Sequence, residues 1–293
     1  MSVVLPEAPA LGSGAAPAAE LPDADLERRF GGLRRLHGDA VYSRIRAARI
    51  AVVGLGGVGS WAAEALARSG VARLVLIDLD HVSESNINRQ VQALSSTVGM
   101  AKTVALQQRL ADIHPGCELL TVEDFVNADN WPALLPAAVD VTIDACDQSS
   151  AKTALAAWAL ASGAPLICVG AAGGKRLVQR IAVEDLADAT HDPLLAGLRQ
   201  RLRQRGLAAR SGAIGLRCVF SRESVVTPAA ERAAAAGRDE AQVADHGAST
   251  PAHDGTLNCH GYGSSVMVTA SFGMAAAAEA LALLQQAPRA RMP

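Results

Sequence analysis

Short apolar runs in this chain are separated by stretches whose apolar residues recur at helical spacing. The first run, RIAVV at 49–53, leads into a helical stretch that Ser60 can cap and Gly70 can end. A second run covers 74–78. Helical periodicity returns over 101–113 and stops before Pro115. Further runs fall at 118–122, 139–143 and 166–169. A helix opened by Ser149 or Ser150 and closed by Gly163 separates the last two. Strands alternating with helices of this length predict a parallel sheet with helices on both faces.

After residue 170 the pattern changes. Segments 176–183 and 215–221 read as strands that pair antiparallel and extend the sheet, with a helix over 193–205 between them. The stretch 227–256 is rich in Ala, Asp, Gly and His and has no period, so a mobile loop is expected at about 225–258. Residues 266–284 are apolar enough to raise a membrane question. They include Glu279 and many small residues and follow a glycine-rich turn, which favours a buried helix packed on the sheet over stable membrane insertion. Residues 1–24 are rich in Ala and Pro, and no basic residue opens them as a signal peptide would require. The expected architecture is therefore α/β: a Rossmann-like, doubly wound, mainly parallel sheet extended by antiparallel strands. It forms one domain over 25–287 behind a disordered tail.

Composition narrows the function classes. The net charge of −2 gives no global positive field for nucleic acid, so any such contact needs a local patch. Only Lys102, Lys152 and Lys175 are lysines; the other basic side chains are arginines and histidines. The five cysteines form no C-x-x-C pair, which excludes the usual structural zinc spacing. Their odd number and the missing secretion signal point to a reducing, cytoplasmic setting.

Candidate chemistry lies in one ordered series. Gly54-x-Gly56-Gly57-x-Gly59 joins a predicted strand to a predicted helix, where glycines let the backbone approach phosphates and helix N–H groups face an anion. Asp78 ends the second run, where an acid meets ribose hydroxyls, and Asp80 shares its side of an extended chain. Both fit NAD or ATP. Asn86-Ile87-Asn88-Arg89-Gln90 separates the two, because a triphosphate needs a guanidinium where charge builds on the leaving pyrophosphate. Lys102 adds a second cation at the start of the next helix. Asp147, at a carboxyl end of the sheet, is placed to hold Mg²⁺ through oxygen ligands, with Asp144 in support.

From about Arg28 to Gly174 this order resembles the ubiquitin-activating-enzyme-like adenylyltransferases, which include the activators of the molybdopterin and thiamine sulfur carriers. The resemblance implies that Gly54, Gly56, Gly57 and Gly59 face the phosphates and that Asp78 and Asp80 hold the ribose. It implies that Asn86, Arg89, Gln90 and Lys102 line the ATP site and that Asp147 binds magnesium. It also implies a homodimer in which an N-terminal arginine reaches the partner's site. In RRFGGLRRLHG the family's Arg-Tyr-x-Arg becomes Arg-Phe-Gly-Gly, which leaves Arg29, Arg34 and Arg35 open for that role.

RFGG, GAAGG, HDPL, RCVFS and CHGYGSSVMVTASFG are more selective. They resemble one branch, the tRNA threonylcarbamoyladenosine dehydratases, which are also linked to a cysteine desulfurase system as a sulfur-transfer partner. The implied reaction adenylates the threonyl carboxylate of tRNA threonylcarbamoyladenosine, beside the anticodon, with ATP and Mg²⁺. The modification then closes on itself and one water is lost. By this resemblance Cys259 is either a nucleophile or a site-positioning thiol; on its residue type alone it is equally a small buried side chain. Arg199, Arg201, Arg203, Arg205 and Arg210, with Lys175, Arg176 and Arg180, are candidates for tRNA backbone contacts. Three other readings remain. A sulfur-carrier adenylyltransferase would usually bring C-x-x-C pairs. A nicotinamide enzyme leaves Arg89, Lys102 and Asp147 without a task. A relic scaffold does not explain their retention.

Overall fold

The computed structural model describes residues 25–225 and 262–285. The expected tail, nearly all of the expected loop, and Cys259 lie outside the described residues. Seven strands form one sheet: β1 (Arg49–Val53), β2 (Arg73–Ile77), β3 (Glu118–Val122), β4 (Val141–Asp144), β5 (Leu166–Val169), β6 (Ile181–Asp185) and β7 (Arg217–Ser221). Their spatial order is β3-β2-β1-β4-β5-β7-β6. Every neighbouring pair is parallel except β6 with β7, which is antiparallel with Ile181 opposite Ser221. The chain winds outward from β1 to β3, then restarts beside β1 at β4. That reversal opens a crevice at the carboxyl ends of β1 and β4, where open α/β sheets bind ligands.

Strand periodicity feeds two cores. Ile50, Val52, Leu74, Leu76, Ile143, Ile167 and Val219 face one side. They meet α2 (Asp39–Ala47), α3 (Gly59–Arg68), α4 (Lys102–Ile113) and, counting in chain order, α7 (Val266–Gln285) through Ile45, Leu66, Leu110 and Phe272. Ala51, Val53, Val75, Ile77, Leu166, Cys168, Cys218 and Phe220 face the other side. There α5 (Ser149–Ser162) and α6 (Pro193–Gln204) supply Leu155, Leu195, Leu198 and Leu202. Strands covered on both faces read as continuous apolar runs, which is why β1, β2 and β5 are legible.

The buried helix expected over 266–284 is observed as α7. It buries Val268, Phe272, Gly273, Ala276 and Ala280. It lies so close on α3 that a Cβ on Gly273 would come 2.5 Å from the Val58 carbonyl oxygen. By length and hydropathy α7 would also pass as a membrane span, but this face is packed inside the protein.

Local expectations fail at two places, and a third segment carried none. Ser60 does not cap α3: the helix starts at Gly59, and buried Ser60 instead accepts the Val91 N–H at 3.4 Å. The segment 176–183 is not one strand, because a 3-10 turn at Val178–Arg180 delays β6 until Ile181. RRFGGLRRLH is helical, α1 (Leu26–His37), despite its two glycines. Asp25 caps it by accepting the Arg28 N–H at 3.0 Å, and buried Phe30 packs on His114 with ring centroids 4.7 Å apart. Such tertiary burial outweighs the roughly 1 kcal/mol that a helical glycine costs.

Candidate active site

The glycine turn after β1 works by close approach. Gly54 has φ 85°, and a Cβ there would come 2.9 Å from the Cys146 nitrogen, against the chain that leaves β4. A Cβ on Gly59 would collide with the Gly54 carbonyl oxygen. Gly56 differs: its Cβ would meet nothing within 4 Å, so its open side faces the cleft. Here the N-terminal turn of α3 presents N–H groups to the crevice.

Asp78, just beyond β2, accepts the Leu55 N–H at 2.6 Å and the Asp80 N–H at 2.8 Å. Burial pushes its carboxyl above the usual range, against the opposing pull of Lys102 and these two N–H groups. The Lys102 ammonium, buried at the start of α4, lies 2.7 Å from Asp80 and 3.7 Å from Asp78. The Asp80 carboxylate stays largely open to solvent.

Asn86 to Gln90 is lashed to the same turn. Buried Asn86 accepts the Ser83 N–H through its side chain at 3.2 Å and closes a capping box. Trp61 Nε1 donates to the Arg89 carbonyl at 2.9 Å, and Gln92 donates to the Leu55 carbonyl at 2.9 Å and to Gln90 at 3.2 Å. The Arg89 guanidinium donates to the Ser85 carbonyl at 2.6 Å and to Asn88 Oδ1 at 2.9 Å, which aims it along the cleft wall.

Asp144 corrects the reading that made it a metal-side helper. Its carboxylate is fully buried and accepts from Lys152 Nζ at 2.7 Å, Cys146 Sγ at 2.8 Å and Cys146 N at 3.2 Å. Lys152 also donates to the Val169 carbonyl at 2.9 Å, so it joins the ends of β4 and β5. Burial opposes the Lys152 charge, but Asp144 outweighs it and holds the ammonium's pKa well up. Three residues after Asp144, Asp147 emerges exposed in the cleft. Lys152 carried no assigned role in the sequence; its signal was a lysine among the alanines and leucines of α5. Cys146, Cys168 and Cys218 all read from the sequence as core thiols; Cys168 and Cys218 are buried in the core, but Cys146 borders the cleft and is half-buried.

These elements enclose a cleft of ≈ 970 Å³. Gly54, Gly56, Asp78, Asp80, Asn86, Arg89, Gln90, Lys102 and Asp147 line it, and Gly57 borders it beside Arg89 and Thr269. Gly59 supports it from beneath. The far half is lined by residues 170–173, by Pro193 and Leu194, and by Tyr262 to Ser264. HDPL reaches this wall because buried Asp192 caps α6, accepting the Leu195 N–H at 3.0 Å, and also holds the Ala171 N–H at 2.8 Å. Burial raises the Asp192 carboxyl above the usual range.

A profile of the ThiF family matches residues 28–292. The chain belongs to the ThiF family. Its ThiF-family sequence is 40% identical over 257 residues to the tRNA threonylcarbamoyladenosine dehydratase of Escherichia coli (strain K12), covering 87% of this chain and 92% of the relative. The molybdopterin-synthase adenylyltransferase of Salmonella typhimurium is 37% identical over 123 residues, 42% of this chain and 49% of the relative. The crystal structure of the Escherichia coli dehydratase in complex with ATP superposes with a TM-score of 0.75 at 38% identity, covering 89% of this chain and 96% of that one.

Within this ThiF-family chain the basic candidates for tRNA divide. Lys175 is buried, donating to the His191 carbonyl at 2.8 Å and to the Glu223 carbonyl, and burial lowers its pKa. Arg199 is spent on the Leu186 and Ala189 carbonyls, and Arg201 on Thr153. Arg176, Arg180, Arg205 and Arg210 are exposed, and Arg203 is half-buried.

Proposed function

We propose that this protein is an ATP-dependent dehydratase acting on threonylcarbamoyladenosine in tRNA. The carrying observation is the two-part cleft. One half gathers the adenylation residues Asp78, Arg89, Lys102 and Asp147; the other is walled by the GAAGG, HDPL and YGSS segments. Similarity to the Escherichia coli dehydratase over most of both chains supports this reading.

ATP lies with its ribose at Asp78 and Asp80 and its phosphates over the glycine turn. A threonyl carboxylate oxygen attacks the α-phosphorus, and pyrophosphate leaves beside Arg89 and Lys102. A nucleophile of the same carbamoyl modification, losing its proton, then attacks the acyl carbon. AMP leaves with the original carboxylate oxygen, so the nucleoside has lost one water. The protein contributes positioning and preorganised charge. Lys102 shifts from Asp80 toward the incoming phosphates, and Asn86 and Gln90 keep the Arg89 segment in register.

Asp147 fits a magnesium site: it is an exposed oxygen donor at the cleft, and Mg²⁺ takes one or two carboxylates together with substrate phosphates. When bound, the ion offsets charge on the phosphate oxygens. Catalysis in a cytoplasmic homodimer completes the reading, with a cysteine desulfurase system as a sulfur-transfer partner. Arg29 donates to the Asp112 and Ile113 carbonyls, and Arg34 pairs with Glu27 and Asp39. Exposed Arg35 is therefore the arginine assigned to the partner's site. Cys259 keeps its candidacy as nucleophile or positioning thiol.

The test is mass spectrometry of nucleosides from threonylcarbamoyl-modified tRNA incubated with protein, ATP and Mg²⁺, with Arg89→Ala as control. Loss of one water only with ATP and wild-type protein is the expected result. An unchanged nucleoside, with pyrophosphate exchange appearing on addition of a sulfur-carrier protein, would refute the substrate.

A further inference from the structure

Aromatic residues are scarce in this chain: two Tyr, four Phe and three Trp. Among the described residues only two are exposed, Phe125 at 51% and Tyr262 at 37%. Both line the same cleft. The proposed reaction brings two nucleobases into it, one from ATP and one from tRNA.

The sheet order decides which platform serves which base. Phe125 follows β3, and β3 is tied to Asp78 by the Asp78 N–H donating to the Val122 carbonyl at 3.2 Å. A nucleotide with its ribose on Asp78 and its phosphates over the β1 turn therefore keeps its base on the Phe125 side. Tyr262 stands across β1 and β4, at the β5 end of the crevice. Two hydrogen bonds fix its segment. The Gly174 N–H donates to the Gly263 carbonyl at 3.0 Å, and Asn88 Nδ2 donates to the Ser264 carbonyl at 3.0 Å. Gly174, at φ 70°, lets the Tyr262 stem pack close: a Cβ there would meet the Tyr262 Cβ at 3.3 Å. The stem of Tyr262 thus packs on the GAAGG loop, and the backbone that follows it is tied to Asn88, which braces Arg89.

Resting on the dehydratase reading, we propose that the Tyr262 ring is the stacking platform for the threonylcarbamoyl-bearing adenine of tRNA. That base lies in the single-stranded anticodon loop, where bases are splayed and stacked on aromatic side chains. With the base on Tyr262, the modification extends along the wall toward Arg89 and the α-phosphate, the direction its carboxylate must take.

Steady-state kinetics with threonylcarbamoyl-modified tRNA separates this from a purely structural role. Tyr262→Ala is expected to raise KM for the tRNA roughly 5- to 150-fold, the range for loss of one base–aromatic stack. KM for ATP should stay within about twofold, since that base sits elsewhere. Tyr262→Phe should restore the tRNA KM, and Tyr262→Leu, which keeps bulk but has no aromatic face, should not. An unchanged tRNA KM in the alanine variant, equal rescue by Leu and Phe, or a matching rise in KM for ATP would each overturn the platform. A wild-type enzyme that leaves the nucleoside intact would overturn the dehydratase reading itself, which the wild-type arm reports separately.

Discussion

Replacing Lys152 by methionine tests the buried support of the site most directly. The side chain keeps its length but loses the ammonium. That leaves the Asp144 carboxylate, fully buried, without the partner 2.7 Å away, and the Val169 carbonyl without its donor at 2.9 Å. Removing one member of a buried ion pair costs about 3 to 5 kcal/mol, because the remaining charge has neither water nor counter-ion. Against a total stability of roughly 5 to 15 kcal/mol, that is a large fraction. Urea unfolding should show a lower midpoint at unchanged slope. Asp144→Asn with Lys152→Met should recover much of the loss, since an apolar or neutral replacement of both partners is often tolerated. A double-mutant cycle then gives a coupling well above about 1 kcal/mol. A single-variant cost under about 1 kcal/mol, or the same cost with and without the Asp144 change, would refute the assignment of this pair as the site's fixed foundation.

Other predictions follow from single contacts. The Asp185 carboxylate accepts the Ala187, Ile214 and Gly215 N–H groups at 2.7 to 2.8 Å, and although burial opposes the charge these donors hold its pKa below the usual range. Its stabilisation is therefore present above the unfolded value of about 3.9 and lost as pH falls through the lower folded value. Asp185→Asn should flatten that acid limb in urea titrations below about pH 5, at a cost of roughly 1 kcal/mol near neutrality after allowance for solvent screening. Gly59→Ala should destabilise by about 1 to 3 kcal/mol through collision with the Gly54 carbonyl. Gly56→Ala, with open space around it, should leave the melting temperature in place and weaken ATP binding in calorimetry. Asp147→Asn, at an exposed position, should change stability by no more than about 0.5 kcal/mol while raising the half-saturating Mg²⁺ for pyrophosphate release about tenfold. An unmoved Mg²⁺ requirement would remove Asp147 from the metal.

The sheet was legible because its strands are covered on both faces. Uninterrupted apolar runs such as RLVLI cannot be solvent-facing strands, and a glycine marks the end of β1 and of β5. The cleft residues were legible because the proposed adenylation chemistry demands a residue type in a fixed order for backbone approach, for ribose binding and for pyrophosphate stabilisation, and the fold gathers those residues around one cleft. What escaped depended on three-dimensional closure. Lys152 reads as a surface charge until α5 turns it toward β4 and β5. RFGGLRR carries no predicted element, and its helix becomes explicable once Phe30 meets His114 and Arg46, whose guanidinium lies 4.8 Å above the Phe30 ring. Lys175, counted among the candidates for tRNA, is consumed by backbone carbonyls far along the chain. A one-dimensional pattern gives the type of a charge but not its nearest oxygen.

The two halves of the cleft are built by different parts of the chain, yet they share one frame. The ATP half comes from β1, β2 and the Asn86–Gln92 segment. The opposite wall comes from the chain after β5, the start of α6 and the approach to α7. Asn88 crosses between them by donating to the Ser264 carbonyl, while Thr269 of α7 packs on Gly57 and Gly273 packs on Val58. The wall proposed to receive the tRNA modification is therefore fastened to the segment proposed to face the leaving pyrophosphate. Adenylation requires a carboxylate oxygen to stand about 3 to 3.5 Å from the α-phosphorus in line with that leaving group. Two independently mobile walls would have to find this geometry anew for each tRNA. A wall hydrogen-bonded to the neighbour of Arg89 carries the geometry in its own construction, so in the proposed reaction substrate docking and leaving-group stabilisation rest on the same contacts.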